Sequence, residues 1–172
     1  MQKRITTKDI AVIGLMIAII ETCKFALSFA PNIELTTFWL IMYTRHWGKK
    51  VALIVPVLIL VEGMMYGVNT WWIMYLYIWP LLVVLTYLFR NVESALFWAF
   101  FAGIFGLCFG MLCSLTYFFI GMRDGGIIGG FNTAFPWWIS GIIWDMVHCA
   151  GNFVLMLVLY YPIGNVMKRI VK

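Results

Sequence analysis

Asp145, His148 and Asn152 fall at i, i+3 and i+7 of an otherwise apolar stretch, which stacks an acid, an imidazole and an amide along one helical face. Such a stripe can orient a ligand, move a proton or bridge two helices. A metal centre needs three or four ligands and a shell that orients them, and the sequence offers no further His/Cys cluster, so no metal site is expected. Glu21 and Lys24 stand three residues apart in a second apolar stretch, where they share a face and can neutralise each other. Glu62 lies near the end of a third, beside Met64, Met65 and Tyr66, as a ligand contact or a solvated helix end. Ionisable groups are costly in hydrocarbon and face a bundle interior or a water-filled cavity, so each is a functional candidate.

Aromatic residues make up 18% of the chain, enough to build a wall. Trp72, Tyr75 and Trp79 repeat at i, i+3 and i+7, and Trp144 adjoins Asp145. These can stack on a flat ligand, since pockets for ring-shaped molecules are aromatic with few polar groups, or they can pack the core. Trp71 and Trp137 are accounted for by the tryptophan belt of a membrane interface. The four cysteines (Cys23, Cys108, Cys113, Cys149) sit in apolar runs without CxxC spacing and read as small buried hydrophobes. No G-x-x-x-x-G-K-[ST] loop, H-E-x-x-H or G-x-S-x-G is present, so the sequence carries no equipment for ATP hydrolysis and no recognisable catalytic motif.

The elements that must position these residues are transmembrane helices. Of the 172 residues, 64% are hydrophobic and only 11% charged, too little polar surface to coat a soluble globule. The runs are continuous and far longer than the roughly ten alternating residues of a barrel strand. The chain therefore reads as an all-α polytopic membrane protein, a single membrane domain over 1–172. Six helices are expected at about 9–30, 34–45, 50–66, 71–89, 94–122 and 136–164. The first is expected to remain uncleaved, because its apolar stretch is too long for a signal core and carries Glu21 and Lys24. Pro56 is expected to kink the third, and the glycines of the fifth to allow a break. The glycine-rich run from Arg123 to Asn132 reads as a mobile loop.

Lysine and arginine set the orientation. Lys3, Arg4 and Lys8, the Arg45 to Lys50 segment, Arg90, and the tail with Lys168, Arg169 and Lys172 alternate correctly for six spans with both ends in the cytoplasm. Only Lys24 and Arg123 stand elsewhere. The basic residues are scattered between spans instead of forming a stripe with interleaved aromatics, which argues against nucleic acid as a partner.

Small residues recur at helix-packing spacing, as Ala11, Gly14 and Ala18 in the first segment and Gly103, Gly106 and Gly110 in the fifth. The first of these, through Gly14-Leu15-Met16-Ile17-Ala18, resembles the small-xxx-small motif of the S components of energy-coupling factor (ECF) transporters, a type of ABC transporter. Gly14 stands where that family usually has alanine as the first small residue of the motif. The segments Pro31-Asn32-Ile33-Glu34-Leu35 and Tyr66-Gly67-Val68-Asn69-Thr70-Trp71-Trp72 resemble a subgroup associated with cobalamin, and the likeness in length and topology covers essentially the whole chain.

The resemblance implies a vitamin-binding subunit of the bacterial plasma membrane that is not itself an enzyme. Two ATPases and a transmembrane coupling (T) component would supply the energy, and the S component would topple in the membrane to release its substrate inside. Ala11, Gly14 and Ala18 would dock on the coupling subunit. The ligand would lie between the third to sixth segments, against Trp72, Tyr75, Trp79, Trp144, Asp145, His148 and Asn152, with Glu34 and Asn69 contacting it or latching a gate. Cobalamin leads as the substrate, bound without covalent attachment; a pyrimidine, pyridoxine or queuine are the alternatives. A small membrane enzyme using Asp145 and His148, and a structural subunit without ligand, are the readings from other classes.

Overall fold

The computed structural model describes residues 6–170, and every regular element among them is helical. Helix α1 (Thr7–Ala26) starts on a capping box: the Thr6 hydroxyl accepts the Asp9 N–H at 3.2 Å, and the Asp9 carboxylate accepts the Thr6 N–H at 3.1 Å. A connection through Pro31 and Asn32, the latter at φ 57°, leads to α2 (Thr36–Trp47). At 12 residues α2 is about 18 Å long, but Phe38, Leu40, Ile41 and Met42 are buried, and the Tyr43 hydroxyl donates to the Met16 carbonyl of α1 at 3.2 Å. It is the central helix, enclosed by its neighbours.

A 3-10 helix, Gly48–Leu53, feeds α3 (Ile54–Tyr66), which is followed by α4 (Thr70–Phe89). Helix α5 (Ala95–Leu107) stops at Cys108, and α6 (Phe109–Ile170) begins at once. Its first limb, 109–125, folds back at Gly126 (φ 60°, ψ −156°) into a second limb, 127–170. Left-handed φ suits a residue without Cβ. The limbs run antiparallel, with the Phe118 ring against Gly130 and Tyr117 stacked on Trp137 at 4.5 Å. Lower down, α5 packs on the second limb through Gly103 against Cys149 and Phe153, and Gly106 against His148. Only glycine permits the last approach, because a Cβ on Gly106 would stand 2.9 Å from the His148 carbonyl oxygen.

Two stretches, Thr70–Phe89 and Ala95–Arg169, are long and apolar enough to cross a membrane, the second of them containing the Gly126 fold-back. One end of the bundle collects basic groups. Lys50 reaches Asp9 at 2.8 Å; Arg45 donates to the Val92 carbonyl at 2.8 Å and lies between the Trp98 and Tyr160 rings; Arg90 covers Gly48. Lys3, Arg4 and Lys172 lie outside the described residues.

Several expected boundaries change. The sixth helix does not start at Pro136: that proline is interior, and the glycine-rich run is helical on both sides of Gly126, because Gly121, Gly129 and Gly130 are what let the two limbs touch. Pro56 kinks nothing, since it sits in the first turn of α3, where its missing N–H has no partner to lose. The first helix ends at Ala26 instead of about 30, the second runs 36–47, and the fifth breaks at Cys108, between Gly106 and Gly110.

Candidate functional site

The polar residues inside the bundle meet where α1, α3, α4, the 27–35 connection and the second limb of α6 converge. Lys24 of α1 does not pair with Glu21, as the i, i+3 spacing had suggested. Its ammonium donates to Glu62 of α3 and lies over the rings of Tyr66 and Tyr75, 5.3 and 5.7 Å from their centroids. Glu62 is 1% exposed, so it is neither a solvated helix end nor a free contact but half of a buried interhelical ion pair. Glu21 is left with both carboxylate oxygens shielded from solvent and without a hydrogen-bond partner.

Glu34 enters from the 27–35 connection. One of its oxygens accepts the Thr36 hydroxyl at 3.0 Å, and the other faces His148 Nε2 at 3.5 Å, too far for a good hydrogen bond. Beside Glu34, Ile33 lies against Gly151, so this segment straps over the second limb.

Aromatic rings run from α4 into the same region: Trp71 on Tyr75, Tyr75 on Trp79, Trp79 on Phe109 and Phe109 on His148, with centroids 5.0 to 5.6 Å apart and edge-on or tilted. Trp79 and His148 are almost fully buried, yet Trp79 Nε1 has no hydrogen-bond partner among the described residues and His148 Nε2 has only the long approach to Glu34. Asn152, one turn beyond His148, is 3% exposed, and neither its amide oxygen nor its amide nitrogen is paired.

The other expected ligand residues do different things. Asp145 Oδ1 accepts the Gly110 N–H at 3.0 Å, so from the second limb it caps the start of α6, where a carboxylate also suits the helix dipole. A Cβ on Gly110 would overlap that carboxylate. Trp72 Nε1 donates to the Ile59 carbonyl at 2.8 Å and its ring covers Gly63, fastening α4 to α3. Trp144 is half exposed and Asn69, in front of α4, is exposed; neither joins the cluster. Of the nine residues, Glu34, Tyr75, Trp79 and His148 are linked through the ion pair and the ring chain, and Asn152, one turn beyond His148, turns its amide towards Gly106 of α5.

Sequence reasoning missed the Lys24–Glu62 link and Phe109. The first had a signal, two opposite charges in separate apolar runs; the second had none, being one of 14 phenylalanines. A separate surface groove of about 330 Å³ between α5 and the second limb is lined by apolar residues such as Phe100, Ile104, Met146 and Val154 and includes none of the nine.

On α1, Ala11, Gly14 and Ala18 are exposed together with Leu15, Thr22 and Phe25, and a Cβ on Gly14 would meet no atom within 4 Å. Among the described residues nothing covers this face.

No protein-family model, curated protein or solved structure matches the chain.

Proposed function

We propose that this chain is the substrate-binding S component of an ECF-type ABC transporter, a vitamin receptor of the bacterial plasma membrane with six spans and both ends in the cytoplasm. The spans would be α1, α2, the 3-10 helix with α3, α4, α5 with the first limb of α6, and the second limb. The basic end of the bundle supports this orientation, because lysine and arginine are retained on the cytoplasmic side.

One observation carries the binding reading: among the described residues the interior holds polar groups from four elements without a hydrogen-bond partner, namely both oxygens of Glu21, Trp79 Nε1 and the whole Asn152 amide, while one Glu34 oxygen and His148 Nε2 have only each other at 3.5 Å. Native proteins pair nearly all buried polar atoms, and each unpaired one costs about 1–3 kcal/mol. A purely structural subunit has no reason to bear that cost several times in one place. A ligand with donors and acceptors relieves it, and the aromatic rings around it suit a ring-shaped molecule.

On this reading cobalamin is the leading substrate through the subgroup likeness, with a pyrimidine, pyridoxine or queuine as alternatives. The free α1 face of Ala11, Gly14 and Ala18 is the docking surface for the T component, two ATPases provide the energy, and the chain topples to release its cargo. The enzyme reading is weakened because Asp145, its proposed acid or base, is engaged as a helix cap. Mass spectrometry of small molecules retained by the purified protein, with co-purification of an ATPase module, tests the proposal. A stoichiometric vitamin and an attached module are expected; a protein that retains no small molecule, binds none from a vitamin panel and never co-purifies with ATPases would refute it.

A further inference from the structure

We propose that the groove between α5 and the second limb of α6 holds one acyl chain of an anionic phospholipid from the cytoplasmic leaflet, whose phosphate is received by Lys168 and Arg169. The inference goes beyond the receptor reading above and takes from it only the membrane orientation.

The groove has the size and lining for a hydrocarbon chain. Phe100, Ile104 and Leu107 of α5 face Met146, Ala150 and Val154 of the second limb around a volume of about 330 Å³. Gly103 lets the two helices touch beneath it, since a Cβ there would stand 3.3 Å from the Cys149 carbonyl oxygen and from the Phe153 Cβ. An apolar cavity of about 150 Å³ takes a benzene, so this space takes roughly a dozen carbon atoms. Phe100, Ile104, Met146 and Val154 are each more than half exposed, so the groove opens sideways to the surroundings and not into the bundle.

Length and depth select the occupant. From Met146 to Val154 the groove runs about two turns, roughly 12 Å, whereas a spanning partner helix would need about 30 Å of surface. Phe100 and Leu107 stand roughly 9 and 20 Å along α5 from its cap Ser94, at the basic end of the bundle. In a hydrocarbon core of about 30 Å, that is the inner half as far as the middle, the reach of a chain from the cytoplasmic leaflet.

The same helix supplies the charge. Eighteen residues make about five turns, so Lys168 returns to the face of Ala150, and the backbone stays helical through Pro162. Leu157 and Tyr161, both exposed, continue the stripe between them. Helical side chains lean towards the N-terminus, which tilts the Lys168 ammonium back towards the groove. Lys168 and Arg169 are exposed and, among the described residues, ion-pair with no acid. Basic residues at this level attract anionic headgroups.

The test is photo-crosslinking of the full chain in phosphatidylcholine nanodiscs that carry a minor share of phosphatidylglycerol with a diazirine in its tail, followed by peptide mapping. Labels concentrated on 100–107 and 146–154 are expected; labels spread evenly over other exposed apolar positions, such as Val84 and Leu88 of α4, would overturn the proposal. Unlabelled phosphatidylglycerol should compete at least about tenfold better than phosphatidylcholine of the same chains, and Lys168→Gln with Arg169→Gln should bring the two level. No preference in the wild type, or one that survives the double variant, would overturn it.

Ala150→Leu, at an exposed position, fills the groove and should abolish labelling there while the unfolding midpoint holds; undiminished labelling would overturn the proposal. A dimer that Ala150→Leu dissociates would give the groove to a second copy, and labelling blocked by a bound ATPase module would give it to a partner subunit, each overturning the lipid assignment. Vitamin retention is read separately, so the receptor reading survives any of these results. A chain that does not enter nanodiscs removes the membrane orientation and this proposal together.

Discussion

Replacing Glu62 by alanine removes the partner of an ammonium that has little access to water. Breaking a buried ion pair from one side costs about 3–5 kcal/mol, because the surviving charge stays desolvated. Here the low end applies: the Lys24 side chain keeps 19% of its exposure, and Glu21 on the same helix face can take over part of the charge. We therefore expect a loss of about 3 kcal/mol, which for a chain of this length lowers the unfolding midpoint by roughly 6–12 °C. Replacing both partners, as Lys24→Met with Glu62→Met, should return the protein to within about 1 kcal/mol of wild type, since no charge is then left buried. Tryptophan-fluorescence thermal unfolding in a fixed detergent reads all the variants. Strong non-additivity of the single and double variants is the signature of a direct pair. Single-variant losses that simply add up would refute the interhelical link and the packing of α1 on α3 that depends on it.

Gly106→Ala should cost about 1–3 kcal/mol, because its Cβ meets a backbone carbonyl that has nowhere to go, whereas Gly103→Ala, at 3.3 Å from its nearest neighbours, should stay within about 1 kcal/mol; thermal unfolding separates the two. Asp145→Ala should lose about 1–2 kcal/mol by uncapping α6, and Asp145→Asn, which keeps the acceptor for the Gly110 N–H, should recover most of it in the same assay. Trp79→Ala should destabilise by about 3–5 kcal/mol, whereas Trp144→Ala, half exposed, should change stability by less than about 1 kcal/mol and leave ligand binding unaltered by titration. Gly14→Leu, on an open face, should leave the unfolding midpoint within about 2 °C of wild type and abolish co-purification of an ATPase module.

Helix was legible from the long apolar runs, and the span at 71–89 was placed almost to the residue, because it is bounded by Asn69 in front and Arg90 behind. The Gly126 fold-back was not. A run of four glycines within six residues reads as a loop by local propensity, yet Gly121, Gly129 and Gly130 serve as contact points between two helical limbs, a tertiary reason that no local pattern displays. The site divides the same way. Helical spacing placed His148 and Asn152 on one face of their helix, and Tyr75 and Trp79 on one face of α4, and the structure turns both faces inward. Trp144 was misplaced because adjacency to Asp145 in sequence means about 100° of rotation on a helix, which turns it outward. Lys24 was assigned to its nearest opposite charge along the chain, whereas the partner it takes comes from α3, 38 residues away.

Native mass spectrometry of the chain, released from detergent after mild purification, tests most directly whether the polar interior holds a small molecule. The account predicts one ring-containing micronutrient per polypeptide, lost when His148 and Asn152 are both replaced by alanine and regained by wild type from a vitamin panel. A bare polypeptide mass at every charge state, before and after incubation with the panel, would contradict it.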